Sequence, residues 1–245
     1  MRRRPPAADE SVYRNDLAYI QHHGFSDFAR SASPGLLNIF RRAGVTTGHV
    51  VDLGCGDGTW LRVLTQNGFA ATGIDQSSSL ARYARKRAPK ALVKVRSVHQ
   101  AAFDRCDAIT ALGEVLSYQS GGTRSVELPR IFQRAHRALR PGGLFVFDML
   151  VTGRRMEYEA WRTGPDWAVL VRVREEPGRL IRRIVTFRKT GRGYQRDREE
   201  HVLAVSSARV ILAELRRVGF VARTSRAYGN FRLPPRRMAF IARKR

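Results

Sequence analysis

The chain has 245 residues, 43% of them hydrophobic, enough for one large globular domain carrying an insertion. No segment approaches the roughly 18 uninterrupted apolar residues of a membrane span, and the basic start MRRRPPAADE has no apolar run behind it, so it does not read as a secretory signal. The formal net charge of +24 invites a polyanionic partner, but the basic residues are nearly all arginine and spread along the chain in short runs, which reads first as a compositional preference.

In chain order, residues 1–10 read as a disordered basic tail. Residues 11–45 carry two helical patterns. The first is SVYRNDLAYIQHHGF, with Ser11 as a cap and Tyr13, Leu17 and Ile20 at helical spacing. The second is SPGLLNIFRRAG, expected to open at Ser33-Pro34 and stop at Gly44. A β-α rhythm follows: strand HVVDLG, helix TWLRVLTQNG, strand FAATGID, helix SSLARYARKRAP, strands ALVKVRSV and CDAITALGE, helix ELPRIFQRAHRALRPGG, strand LFVFDML. Alternation of this kind implies an α/β fold with a parallel sheet and helices on both faces. From about Tyr158 the rhythm changes to three strand-like runs, punctuated by Pro177-Gly178 and Gly191-Arg192-Gly193, which read as an antiparallel meander over 158–205. An amphipathic helix with Val210, Leu212 and Leu215 as its apolar stripe ends at Gly219, and two more strands close the chain. Cys55 and Cys106 show neither metal-ligand spacing nor a disulfide framework, so no metal is expected and a reducing, cytoplasmic setting is the default.

The stretch HVVDLGCGDGTW carries the chemistry. A phosphate-binding loop needs a lysine after the last glycine, and none follows Gly58. A dinucleotide fingerprint spaces its glycines G-x-G-x-x-G, whereas Gly54, Gly56 and Gly58 are spaced G-x-G-x-G. Asp52 at the strand end is awkward for a pyrophosphate and suits a ligand with an ammonium group. Asp75, ending the second strand in TGIDQS, is placed to accept hydrogen bonds from a ribose diol. A ribose with a cationic amino-acid part describes S-adenosylmethionine.

These motifs, with CDAITALGEVLSY, ALRPGGLFVFD and ILAELRRVGF in that order, resemble the class I S-adenosylmethionine-dependent methyltransferases, over roughly residues 46–245. The resemblance implies a Rossmann-like sheet of seven strands, the last antiparallel to the rest. It implies that Asp52, Gly54, Cys55, Gly56 and Gly58 surround the methionine part, that Asp75 holds the ribose, and that Gln76, Ser97, Val98 and Gly113 line the adenine and the pocket. Residues 11–45 would form a helical lid and the meander would cap the active site, as in small-molecule members of the family. On that reading Tyr13, Tyr19, Trp161 and Trp167 are lid or substrate-wall candidates, and Glu114 and Tyr118 are the catalytic candidates, facing the methyl position after the fourth strand. The implied substrate is a small molecule with an N or O acceptor, the product S-adenosylhomocysteine, and the assembly a monomer or homodimer with no membrane partner. The second reading, an RNA methyltransferase, draws on the charge, but the fourth motif lacks the N/D-P-P-Y/F signature used for exocyclic or amide nitrogens.

Overall fold

The computed structural model describes residues 12–119 and 128–245. The expected tail and the Ser11 cap lie outside them. Two helices, α1 (Asn15–Gly24) and α2 (Asp27–Arg42), precede β1 (His49–Leu53), α3 (Thr59–Gln66), β2 (Ala70–Asp75), α4 (Ser78–Arg87) and β3 (Leu92–Val95). Next come β4 (Cys106–Ala111), a single 3-10 turn (Val115–Ser117), α5 (Leu128–Ala138) and β5 (Leu139–Leu150). The meander comprises β6 (Glu157–Thr163), β7 (Trp167–Glu176), β8 (Arg179–Thr190) and β9 (Gly193–Ala204). The chain finishes with α6 (Ala208–Arg217), β10 (Phe220–Ser225), the small pair β11 (Ala227–Tyr228) and β12 (Phe231–Arg232), and β13 (Arg237–Lys244).

The main sheet has seven strands in the order β10-β13-β5-β4-β1-β2-β3. β13 runs antiparallel to both its neighbours, β5 and β10, as the sequence leads one to expect. Adjacent residues of the central strands divide between the two faces, because side chains alternate along a strand. Val51, Ile109 and Phe147 join α5 and α6 in one core, while Val50, Ala108 and Val146 join α2, α3 and α4 in the other. Burial on both faces explains why β1, β4 and β5 read as nearly continuous apolar runs. The chain moves outward from β1 to β2 and β3, then returns to β4 on the other side of β1. That reversal opens a crevice at the carboxyl ends of β1 and β4, the place where such sheets bind ligands.

Three local expectations need correction. Helix α2 begins at Asp27, and Pro34 sits inside it rather than at its start. Proline removes one helical hydrogen bond, but the packing of Ala32, Leu36 and Phe40 against the core compensates. Gly35 follows because a Cβ there would lie 2.0 Å from the Tyr228 carbonyl oxygen. In α6 the buried residues are Ile211 and Leu215, and Val210 is exposed. The meander has four strands, not three: β6 pairs with β7 over its whole length. Every β6 side chain is exposed, so the strand shows no alternation of apolar and polar burial. The inner face of the meander packs on α1 through Trp167, Val169 and Ile184 against Leu17 and Ile20.

Candidate active site

The turn after β1 is pinned to β2: the Gly54 and Cys55 amides donate to the Ile74 carbonyl at 2.7 and 3.1 Å. Gly54, Gly56 and Gly58 all have positive φ, which glycine adopts without the strain a side chain would meet. Their uses differ. A Cβ on Gly56 would meet open space, and its amide donates to Asp75 Oδ2 at 2.8 Å. A Cβ on Gly58 would lie 2.7 Å from Ala84 Cα. Gly58 therefore serves the packing of α3 on α4, not the ligand cavity, contrary to the sequence-based expectation.

The crevice holds a cavity of about 360 Å³, within the range of small-molecule sites. Asp52, Gly54, Cys55, Gly56, Asp75 and Gln76 bound it on one side; Ser97, Val98 and Gly113 bound it further along. Asp52 is 2% exposed, and Thr110 Oγ1 donates to its Oδ1 at 2.7 Å. Trp60 Nε1 in turn donates to Thr110 Oγ1 at 3.1 Å, fixing the hydroxyl's orientation. No cation among the described residues pairs with Asp52, and burial pushes its carboxyl up to about 7. Asp75 accepts backbone N–H bonds from Gly56 and Ser77, both at 2.8 Å; burial still raises its carboxyl above the usual range.

Glu114 adopts a left-handed backbone conformation, φ 65°, directly after Gly113. Buried Asp148 of β5 enforces it by accepting the amides of Gly113 and Glu114 at 2.8 and 3.0 Å. The Tyr228 hydroxyl donates to the same carboxylate at 3.0 Å. The Glu114 side chain is 2% exposed and lies between Arg182 of β8, 2.8 Å from Oε2, and Arg237 of β13, 2.7 Å from Oε1. Burial pushes the Glu114 carboxyl up, but the two guanidiniums outweigh it and hold it below the usual range. The arrangement makes Glu114 a poor proton acceptor, which argues against the general-base role its position suggests. Tyr118 lines the cavity, and its hydroxyl lies 3.1 Å from that of Tyr13. Burial holds both phenols above their ordinary value, so they stay protonated at neutral pH.

Of the four wall candidates, Tyr13 alone bounds the cavity. Tyr19 donates to Asp166 Oδ2 at 2.6 Å beneath the Arg188 guanidinium. Trp167 staples the meander to α1, and Trp161 is 76% exposed. The residues that fix the N-terminal segment were not foreseen. Glu199 of β9 accepts the Tyr13 and Arg14 amides at 2.6 and 2.8 Å and bonds His201 Nε2 at 2.8 Å. Asp57 gathers Ser26 Oγ at 2.6 Å, His22 Nδ1 at 3.1 Å, and Arg87. These contacts lie as far as 186 positions apart in sequence, so no local pattern announces them. Arg182 and Arg237 carried no signal either, being two among many arginines.

Residues 50–143 match the sequence pattern of a family described as "Methyltransferase domain". A trans-aconitate 2-methyltransferase of Paracidovorax citrulli is 35% identical over 103 residues, 41% of this chain and 38% of that protein. The matched stretch spans about two-fifths of the length of the curated relatives. Among solved structures, an S-adenosylmethionine-dependent methyltransferase of Clostridium acetobutylicum superposes with a TM-score of 0.78 at 15% identity, covering 94% of this chain and 98% of that one. The sugar N-methyltransferase KedS8 of a Streptoalloteichus species gives 0.76 at 20% identity, covering 94% and 92%. At such identities the likeness establishes the fold. Strand order and glycine turn agree with these matches: residues 50–143 are similar to the methyltransferase-domain family, and the chain has the class I methyltransferase fold.

Proposed function

We propose that the protein is an S-adenosylmethionine-dependent methyltransferase acting on the N or O atom of a small molecule. The carrying observation is the pair of buried acids, Asp52 and Asp75, on the glycine-lined side of one cavity at the sheet's switch point. The cradle fits that cofactor. Asp52 is a buried carboxylate lacking a cationic partner among the described residues, which an amino-acid ammonium would supply. Gly56 leaves room where a Cβ would otherwise stand. S-adenosylmethionine, when bound, supplies a sulfonium methyl for in-line displacement.

The chain's own residues bind, orient and exclude water. Asp75 would take the ribose hydroxyls, its carboxylate held in place by two backbone amides. Asp52 would orient the ammonium, and Gln76, Ser97 and Val98 would flank the adenine. Tyr13, Phe25 and Phe28 extend the N-terminal segment over the cavity, and Arg182 reaches in from the meander. This supports reading residues 11–45 as a lid and the insertion as a cap, which favours a substrate small enough to be enclosed. The relatives' names, a sugar N-methyltransferase and a trans-aconitate 2-methyltransferase, point the same way.

Calorimetric titration with S-adenosylhomocysteine tests the proposal. One molecule should bind per chain, and Asp75→Ala should weaken binding by about 1–3 kcal/mol, the value of lost hydrogen bonds to a charged group. A wild-type chain that binds none would overturn it.

A further inference from the structure

The cavity wall beyond Gly113 has a character that the methyltransferase reading alone does not require. Four separated parts of the chain deliver five polar side chains to it: Tyr13, Glu114 with Tyr118, Arg182 and Arg237. Two guanidiniums share one carboxylate there. Both Glu114 oxygens are taken, one by each arginine, and the residue is 2% exposed. Glu114 therefore offers little to an ammonium group. The other nearby acid, Asp148, is fully buried, accepts two amides and the Tyr228 hydroxyl, and does not bound the cavity. Beside the arginines stand the Tyr13 and Tyr118 hydroxyls, 3.1 Å apart. Only one of their two protons can lie between them, so the pair retains a donor to direct elsewhere. The wall is thus rich in donors, and its cations outnumber its anions.

We propose that the substrate carries a carboxylate and that Arg182, Arg237 and the Tyr13–Tyr118 hydroxyl pair receive it. The inference rests on the methyltransferase reading and names its substrate class. Guanidinium matches carboxylate geometry through parallel N–H bonds, and such charge-assisted bonds are roughly twice as strong as neutral ones. Glu114 holds both guanidiniums in place through its two oxygens. If a carboxylate oxygen is itself the acceptor, its lone pair forms the new C–O bond while the methyl–sulfur bond breaks and that electron pair stays on sulfur. No proton needs removing, which suits a wall whose one carboxylate is ion-paired and whose phenols are protonated. If the carboxylate is a handle for a neighbouring amine or hydroxyl, the clamp is the same and the acceptor sheds one proton to solvent.

The test uses the full chain saturated with S-adenosylhomocysteine. Succinate, citrate and benzoate are compared with succinamide and benzamide for their effect on the thermal midpoint. At least one acid should raise it, and the amides should not. Arg182→Gln should weaken that acid's apparent affinity at least tenfold while S-adenosylhomocysteine affinity stays at the wild-type value, which also reports a folded variant. Arg237→Lys, which keeps the charge but loses the planar fork, is the second variant and should weaken the acid more than the cofactor. Amides that stabilise as well as acids, no stabilisation by any acid, or variants indistinguishable from wild type would overturn the proposal. Loss of S-adenosylhomocysteine binding by the wild-type chain would instead overturn the methyltransferase reading. With labelled S-adenosylmethionine, alkali-labile product identifies the carboxylate as acceptor, and alkali-stable product identifies it as handle; both support the clamp.

Discussion

Asp52 retains its proton in the folded chain to about pH 7 because burial disfavours its charge. An unfolded aspartate loses its proton near pH 4. Between those values the native state binds more protons than the unfolded one, so the group's contribution to stability falls as pH rises, on the order of 1.4 kcal/mol per unit. Ligand binding has the opposite sign. An ammonium prefers ionised Asp52, so S-adenosylhomocysteine affinity should rise about tenfold from pH 6 to pH 8, with proton release. Calorimetry in buffers of different ionisation enthalpy measures both, and Asp52→Asn should bind more weakly and flatten the profile. Glu114 differs because its environment supplies two guanidiniums. The sequence places both acids at strand ends of the same fold, and nothing in it distinguishes them. That Asp52 has no cation among the described residues while Glu114 has two follows from where Arg182 and Arg237 approach, from distant segments.

At the scale of elements, the glycines and apolar runs of the central β-α units were legible because each meets a local requirement. Gly68 and Gly219 both take positive φ at the turns after α3 and α6. The start of α2 was not legible, since Ser33-Pro34 resembles a helix opening while tertiary packing carries the helix through it. Gly35→Ala should expose that dependence: its Cβ would meet the Tyr228 carbonyl at 2.0 Å, so α2 must shift from β11. We expect a loss of about 1–3 kcal/mol, read as a lower denaturation midpoint. The N-terminal segment depends on Glu199 in the same non-local way. Glu199→Ala removes the acceptor of the Tyr13 and Arg14 amides and leaves His201 Nε2 without its partner. Hydrogen exchange at Tyr13 and Arg14 should quicken by at least tenfold, while strands β1 and β4 keep their protection.

For the molecule as a whole, the net charge of +24 predicts association with polyanions that weakens steeply with salt and shows no sequence preference. Binding to a labelled RNA should fall by orders of magnitude between 50 and 300 mM salt, and the RNA should accept no labelled methyl group. Transfer to RNA would favour the alternative substrate class. No helix among the described residues is long and apolar enough to cross a membrane. The sequence by itself determined the β-α order, the glycine turn and the two acids beside it in the cavity, because periodicity, turn chemistry and strand-end position are local properties. Only the tertiary structure decided the opposite wall of the cavity, the proposed acceptor side. It paired Glu114 with Arg182 and Arg237, joined Tyr13 to Tyr118, and removed Tyr19, Trp161 and Trp167 from the cavity. Those outcomes depend on how the meander and the N-terminal helix pack over the sheet, and on the burial and charge neighbours that packing creates.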